Sequence, residues 1–139
     1  MVECVGSYRR KKPLCGDIDV LIAGEDGKEQ EILEELVSKL ESQSFLVEQL
    51  GKIKEAKTGS RTYMGICKHL GKHRRIDIKV YKKEQFPFAI LYFTGSGIFN
   101  KTMRQKAKDM GFKLNDAELK QYEGLTYRKA LKLYSDDLH

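Results

Sequence analysis

The sequence predicts an α+β fold, in which a mixed β-sheet with helices on one face precedes a small, mainly helical subdomain. Three observations lead to this prediction. DIDVLIAG (17–24) and HRRIDIKVY (73–81) have the apolar patterns of buried strands, and residues 30–42 between them carry an apolar helix stripe. From residue 84 onward the pattern becomes mainly helical. We therefore expect a first subdomain over 1–82 and a second over 83–139.

The first subdomain reads as β-α-β-β-β with one further strand in front. VECV (2–5) is a short strand, and a Gly-Ser turn with four basic residues joins it to DIDVLIAG. The helix over 30–42 has apolar residues at i, i+1, i+4, i+5 and i+8. SFLVEQL (44–50), RTYMGICKHL (61–70) and HRRIDIKVY follow as strands, with a basic loop over 52–60. This order predicts a mixed sheet.

The second subdomain reads as two helices, a short hairpin and an amphipathic tail. EQFPFAILYFTGS (84–96) is a helix that ends at a Thr-Gly-Ser break, and GIFNKTMRQKAKDMG (97–111) is a helix closed by a glycine. The second helix has an apolar stripe of Ile98, Phe99, Met103, Ala107 and Met110 and a basic stripe of Lys101, Arg104 and Lys108. A hairpin is predicted at Asn115-Asp116, before the tail over 122–139.

Composition restricts the classes of partner and location. The net charge is +6 and charged residues make up 33%, which suits a polyanionic partner without requiring one. No apolar run approaches the length of a membrane span, and no secretory signal is visible. The three cysteines match no zinc or disulfide pattern. We therefore expect free thiols in a reducing, intracellular compartment and no membrane partner.

Three aspartates carry the strongest chemical signal. Asp17 and Asp19 are two residues apart on a strand, so they point to the same face. Asp77 points away from the apolar face of another strand, and if the two strands are neighbours the three carboxylates converge on a Mg²⁺ site. The alternative from these residues alone is a solvated strand end whose aspartates cap a turn.

A turn upstream of the aspartates suits phosphate binding. Gly6 and Ser7 offer backbone amides and a hydroxyl, and Arg9 and Arg10 add charge-assisted contacts. A phosphate cradle, paired aspartates and a distant third aspartate, in that order, are the layout of two-metal phosphoryl transfer.

Three motifs resemble the family X DNA polymerases. GSYRRKKPLCGDIDVLI is similar to the family's nucleotidyltransferase signature, RRIDIKV to its third-aspartate strand, and LYFTGSGIFNKTMR to its thumb motif. Together they span about residues 5–119 in the family's order. The resemblance implies a nucleotidyltransferase palm over 1–82, a nascent base-pair binding thumb over 83–139, and a template-directed DNA polymerase that acts in gap-filling base excision repair.

The resemblance also implies cofactors and partners. The implied cofactors are two Mg²⁺ ions, for which Mn²⁺ can substitute. The implied partners are a primer-template or gapped DNA and an incoming dNTP, and the chain would act as a monomer. The implied location is the nucleus, or a host-cell compartment if the source is a virus.

Each site residue takes its role from the same resemblance. The metal-binding and catalytic residues are Asp17, Asp19 and Asp77. The nucleotide-binding residues are Gly6, Ser7, Arg10, Gly16, Tyr92, Phe93, Gly95 and Asn100. The DNA-binding residues are Arg75, Lys101, Arg104 and Lys108. Among these, the bland alternatives are core aromatics for Tyr92 and Phe93, an ordinary helix surface for Asn100, and a solvated face for the basic stripe.

The sequence departs from the family at several places. Lys79 stands where an arginine pairs with a metal-binding aspartate, and Asp116 stands where a glutamate fixes the closed thumb. Because the family's lyase and DNA-clamping domains precede the palm, we expect no lyase activity here. Two other functions stay open: a catalytically weak DNA-binding remnant, and a nucleotidyltransferase that acts on RNA or a small molecule. The thumb motif argues against the latter.

Overall fold

A computed structural model describes residues 1–13 and 16–121. Cys15 and the predicted amphipathic tail lie outside the described residues. The helices are α1 (Glu29–Ser42), α2 (Phe86–Thr94) and α3 (Gly97–Asp109). The strands are β1 (Val2–Val5), β2 (Asp17–Gly24), β3 (Leu46–Gln49), β4 (Lys54–Glu55), β5 (Arg61–His69), β6 (Lys72–Lys82), β7 (Phe112–Leu114) and β8 (Leu119–Gln121). The α+β prediction is confirmed.

Six of the strands form one mixed sheet. Its order is β1-β2-β6-β5-β3, and β4 pairs beside β5. The β2–β6 pair is parallel, whereas the β1–β2, β3–β5, β4–β5 and β5–β6 pairs are antiparallel. β6 is therefore an inner strand, held on one side by the early strand β2 and on the other by its hairpin partner β5.

α1 covers one face of the sheet, as predicted for the first subdomain. Alternation along β6 sends Ile76, Ile78 and Val80 toward Leu33 and Val37 of α1. These residues are buried and form the larger core. The opposite face of the same strands is the one that carries the aspartates.

α2 packs on that opposite face, at one end. Along β2 the outward positions change from carboxylates to the apolar Leu21, which joins a second core with Tyr81 of β6 and with Phe86 and Ala89 of α2. Helices therefore lie on both faces of the sheet in the described chain. The patch that α2 covers begins where the aspartates of β2 end, so the remainder of that face is left to the polar residues.

α3 packs only partly against the rest of the described chain. Ser96 caps it by accepting a hydrogen bond from the Phe99 amide at 3.3 Å, and Met110 and Gly111 end it. No residue of α3 is buried, and Ile98, Phe99 and Met110 of its apolar stripe are 81%, 43% and 48% exposed, so this stripe is only partly covered. α3 packs against β7, and Asn100 joins it to α2 through a hydrogen bond to the Tyr92 carbonyl. The residues that line the resulting apolar groove include Met103, Ala107, Met110, Phe112 and Leu114.

The hairpin predicted at Asn115-Asp116 is confirmed. β7 and β8 pair in antiparallel fashion, and Asn115 Oδ1 accepts hydrogen bonds from the amides of Ala117 and Glu118 at 2.8 Å. Ala117 is buried in the second core, which attaches this hairpin to the end of the main sheet. No helix in the described ranges is long and apolar enough to cross a membrane.

Candidate active site

The parallel register of β2 and β6 brings the three aspartates to one face of the sheet. Asp19 lies directly opposite Asp77, and Asp17 lies opposite Arg75, two residues earlier on β6. Because side chains alternate between faces, Asp17, Asp19 and Asp77 all project away from the core under α1. The convergence predicted from the sequence is therefore present at the level of strand register.

Two cationic side chains form ion pairs with one of these carboxylates, Asp77. Arg75 Nε lies 3.5 Å from Asp77 Oδ1, and Lys79 Nζ lies 3.8 Å from Asp77 Oδ2. Asp77 Oδ1 is nevertheless buried and accepts no hydrogen bond from the described residues; its contact with Arg75 is an ion pair. Burial raises the pKa of Asp19, and the charges of Asp77 and Asp17 raise it further, against the opposing effect of Lys79 and Arg75.

The site has the ligand chemistry of a hard divalent cation. As the side chains stand, no three His, Cys, Asp or Glu residues in the described ranges surround one point closely enough to hold a metal ion. The donors are all carboxylate oxygens, however, and one of them is buried without a hydrogen bond. A Cβ added to Gly6 would lie 2.6 Å from Asp19 Oδ2, so glycine keeps the space beside that oxygen open. These residues fit Mg²⁺ or Mn²⁺.

The Gly-Ser turn is attached to the end of α2. The Gly6 amide donates to the Phe93 carbonyl at 2.8 Å, Arg10 Nη1 donates to the Thr94 carbonyl at 2.6 Å, and Arg9 Nη1 donates to Thr94 Oγ1 at 3.0 Å. Both arginines therefore point toward the helix end. The Ser7 carbonyl accepts from the Lys12 amide at 3.1 Å, and Gly16, beyond residues 14–15, has open space around its Cα.

The nucleotide-binding residues of the second subdomain cluster where α2 ends and α3 begins. Asn100 Nδ2 donates to the Tyr92 carbonyl at 2.6 Å, which ties the two helices together. The ring of Phe93 lies 4.9 Å from that of Tyr92, and Lys79 Nζ lies 4.9 Å from the Phe93 centroid. Gly95 has a φ of +70°, and a Cβ there would lie 3.1 Å from Arg10 Nη1, so both backbone and space favour glycine.

Comparison with known proteins agrees with this geometry. The family model of the DNA polymerase beta palm matches residues 1–83, and that of the DNA polymerase beta thumb matches residues 89–135. The chain belongs to the family X DNA polymerases. As a family X chain it is 42% identical to DNA polymerase lambda of Rattus norvegicus over 123 residues, which cover 85% of this chain and 21% of that protein. It is 34% identical to DNA polymerase lambda of Arabidopsis thaliana over 125 residues, which cover 85% and 24% of the two chains.

This family X chain is much shorter than the curated relatives it matches. It spans less than a quarter of the length of these curated relatives. The motifs also predict that DNA polymerase beta is the nearest member, but the family models are of the beta type and the relatives are polymerases lambda. Closeness to polymerase beta therefore stays a prediction, as does the division of the chain at 82/83.

The DNA-binding residues predicted for the family X chain occupy two separate elements. Lys101, Arg104 and Lys108 are exposed along α3 and line one open depression. Arg75 lies on β6, beside the aspartates, and its exposed side chain pairs with Asp77 at 3.5 Å. The structure therefore groups the three thumb cations with one another and places Arg75 with the carboxylates.

Three features of this family X site were not predicted from the sequence. Thr94 accepts hydrogen bonds from both arginines of the turn. The Lys79 ammonium contacts both the Asp77 carboxylate and the face of the Phe93 ring. The Tyr81 hydroxyl donates a hydrogen bond to Asp116 Oδ2. Burial first, and then the Asp116 carboxylate, raise the pKa of Tyr81. Alternation along β6 puts Lys79 and Tyr81 on the face of Asp77, and the family resemblance had already singled out Lys79 and Asp116 as departures from the motifs.

Proposed function

We propose that this chain is the palm and thumb of a template-directed DNA polymerase that adds dNTPs to a primer 3′-hydroxyl in gap-filling base excision repair. The observation that carries the proposal is the parallel register that sets Asp19 opposite Asp77, with Asp17 on the same face. A phosphate-type turn next to that face and a basic helix beyond it supply the other parts that nucleotidyl transfer needs.

The carboxylates hold the metals in this proposal. Asp17 and Asp19 would bind both ions, and Asp77 would bind the one nearer the primer terminus, with Arg75 beside it. When bound, the two ions lower the pKa of the attacking hydroxyl and neutralise the leaving pyrophosphate. A bound cation would take over from Lys79, now 3.8 Å from Asp77 Oδ2, as the counter-charge of that carboxylate.

The turn holds the triphosphate. Ser7, Arg10 and the Gly16 amide contact the β- and γ-phosphates, while Gly6 keeps the turn close to Asp19. Arg10 exchanges its neutral carbonyl partner on Thr94 for a charged phosphate, and a hydrogen bond between two charged groups is the stronger of the two. Nucleotide binding is in this way coupled to the end of α2.

The thumb residues check the nascent base pair. Tyr92, Phe93 and Gly95 lie against the sugar, and their backbone excludes a 2′-hydroxyl. Asn100 leaves the Tyr92 carbonyl to reach the minor-groove edge of the incoming nucleotide, and Arg104 contacts the template strand one helical turn further on. Lys101 and Lys108 add contacts to DNA phosphates.

The proposed partners are a primer-template or gapped DNA, a dNTP and two Mg²⁺ or Mn²⁺ ions, bound by a monomer. A nuclear location belongs to the same proposal. The net charge of +6 supports a nucleic acid partner.

One observation favours a second candidate, a catalytically weak DNA-binding remnant. Without metal, Arg75 and Lys79 already neutralise Asp77, and no three carboxylates in the described ranges stand around one point. A chain in which those ion pairs persist binds DNA through its basic surfaces and does not transfer nucleotides.

Primer extension on a gapped duplex, with Mg²⁺ and a single labelled dNTP, tests the proposal. We expect the unaltered chain to extend the primer and Asp77→Ala to lose on the order of 10²–10⁴-fold in rate with its fold intact. Asp26→Ala is the matched control, since Asp26 is an exposed acid in the turn after β2, paired with Lys82 at 3.2 Å. DNA binding without extension by the unaltered chain favours the remnant, and Asp77→Ala at the rate of the control refutes the assignment of the site.

A further inference from the structure

The β5–β6 hairpin extends beyond the rest of the sheet. β2 begins its pairing with β6 at Arg75, and β3 ends its pairing with β5 at Cys67. Residues 68–74 therefore form a two-stranded ribbon, to which the segment before β3 adds a hydrogen bond from the Lys68 amide to the Phe45 carbonyl at 2.8 Å, and every residue from 68 to 75 is exposed. Leu70 and Gly71 at the tip both have positive φ, as a tight two-residue hairpin turn requires. The ribbon presents its side chains from paired strands on a short turn.

The ribbon carries only positive or protonatable charge. No aspartate or glutamate occurs between Glu55 and Asp77, while the ribbon contains Lys68, His69, Lys72, His73 and Arg74. In the described part of the chain neither Lys68 nor Lys72 forms an ion pair, whereas the exposed lysines of α1 and its preceding turn are paired with glutamates. An acid-free and exposed basic surface of this kind suits a polyanion.

One row of the ribbon continues the face that bears the aspartates. Lys68 lies opposite His73, and His73, Arg75 and Asp77 follow one another at two-residue intervals on β6. Alternation places all four on the same side of the sheet. At about 3.3 Å per residue, Lys68 and His73 lie roughly 13 Å along the strand from Asp77. That distance equals about four nucleotide steps of 3.4 Å along one DNA strand.

We propose that the ribbon of residues 68–74 binds the sugar–phosphate backbone of the primer strand, about four nucleotides behind its 3′ end. This inference rests on the proposed function, because it takes Asp77 as the marker of the primer terminus. Lys68 contacts phosphates from the aspartate face of the ribbon, and Lys72, which alternation places on the opposite face, contacts them around the tip. These contacts carry no base sequence information, and they fix where the paired part of the DNA lies.

The test measures DNA binding without Mg²⁺, by fluorescence anisotropy on a gapped duplex over a series of salt concentrations. The variant is Lys68→Ala/Lys72→Ala, and the matched control is Lys28→Ala/Lys39→Ala, which removes the same charge on the α1 side of the sheet. We expect the ribbon variant to lower the steepness of log Kd against log salt by about 0.9 for each lost contact. At 0.1 M salt this corresponds to a Kd higher by about 8-fold for one contact and about 60-fold for two. The control should bind like the unaltered chain.

A second measurement locates the contact on the DNA. Neutral methylphosphonate linkages are placed around the fourth primer phosphate from the 3′ end, or around the twelfth. We expect the first substitution to weaken binding of the unaltered chain but not that of the ribbon variant, and the second to act equally on both. A ribbon variant that binds like the control overturns the proposal, and so does a response to methylphosphonates that does not depend on position.

Failure of the proposed function gives a different result. If the unaltered chain does not extend primers but the ribbon variant still loses affinity for the fourth-phosphate region, the ribbon inference stands and the polymerase activity does not. If extension is normal and the ribbon variant binds like the control, the ribbon inference alone is wrong.

Discussion

Asp19→Asn should stabilise the chain while it removes a ligand of the proposed metal site. Burial raises the pKa of Asp19, and the charges of Asp77 and Asp17 add to that effect, so its ionised form costs stability in the folded state. Asparagine keeps the shape and removes the charge that faces Asp77 across the strand pair. Relief of a like-charge cross-strand pair amounts to up to about 1 kcal/mol. For a chain of this size, that is a rise in Tm of about 3–5 °C.

The sign of the pH dependence follows from the raised pKa of Asp19. A carboxyl whose pKa is higher in the folded state favours folding while it is protonated, and that contribution is lost as the pH rises through the folded pKa. The advantage of Asp19→Asn should therefore be absent below about pH 4 and reach its full size at neutral pH.

Added Mg²⁺ should reverse the order of stability. At ten times its Kd, an ion that binds only the folded chain stabilises it by about 1.4 kcal/mol. The unaltered chain gains this amount, and Asp19→Asn, which lacks the charged ligand, gains little. In EDTA the variant should melt at the higher temperature, and in MgCl₂ the unaltered chain should.

Thermal unfolding followed by circular dichroism, at pH 4 and pH 7.5 and in EDTA and MgCl₂, measures all four conditions. Asp26→Asn is the control for loss of a carboxylate outside the site, because Asp26 pairs with Lys82 in an exposed turn. If Asp19→Asn melts below the unaltered chain in EDTA, Lys79 and Arg75 outweigh the burial of Asp19. If Mg²⁺ leaves the Tm of the unaltered chain unchanged, the aspartates do not form a metal site.

Three further substitutions test other contacts. Tyr81→Phe removes a hydroxyl that donates to a carboxylate, so it should lower the free energy of unfolding in urea by about 1.5–3 kcal/mol. The Tyr63 hydroxyl reaches a carbonyl at 3.4 Å, so Tyr63→Phe should lower it by about 0.5–1.5 kcal/mol. Equal losses would contradict the importance of the Tyr81 contact. Arg104→Ala should lower the discrimination between right and wrong dNTPs by about ten- to a hundredfold in single-turnover insertion, because one charge-assisted hydrogen bond is lost. An equal fall in the rates of right and wrong insertion would show that Arg104 is an ordinary basic surface residue. Gly6→Ala should lower both the rate of primer extension and the Tm, because the φ of Gly6 is +70° and an added Cβ would lie 2.6 Å from Asp19 Oδ2. If Mg²⁺ raised the Tm of this variant as much as that of the unaltered chain, the turn would not affect metal binding by the aspartates.

Strand periodicity made the faces of the sheet predictable from the sequence. The alternation of Ile76, Asp77 and Ile78 assigns the aspartate to the solvent side of β6 whatever strand lies beside it. The same reasoning paired Asp17 with Asp19, and local turn chemistry identified the Asn115 hairpin. These features depend on neighbours within a few residues.

Contacts between distant segments were not predictable in the same way. Periodicity does not say that β2 is the parallel neighbour of β6, and the prediction depended on that condition. The contact of Arg10 with Thr94 joins residues 84 positions apart, and nothing local to either residue indicates it. Helical spacing identified the apolar stripe of α3, but the exposure of Ile98 depends on what covers the helix, which spacing does not report.

The place of β6 in the sheet has a consequence for folding kinetics. Its hairpin with β5 closes through a two-residue turn and forms locally, on a timescale of about 1–10 μs. Its parallel ladder with β2 closes a long loop that contains α1 and the strands between. The ladder that aligns Asp19 with Asp77 is thus the highest contact-order pairing of the sheet, and chains with such pairings fold slowly. Because the hairpin closes the shorter loop, we expect it to form before Asp19 and Asp77 meet, and we expect a destabilised β5–β6 turn to delay assembly of the proposed site.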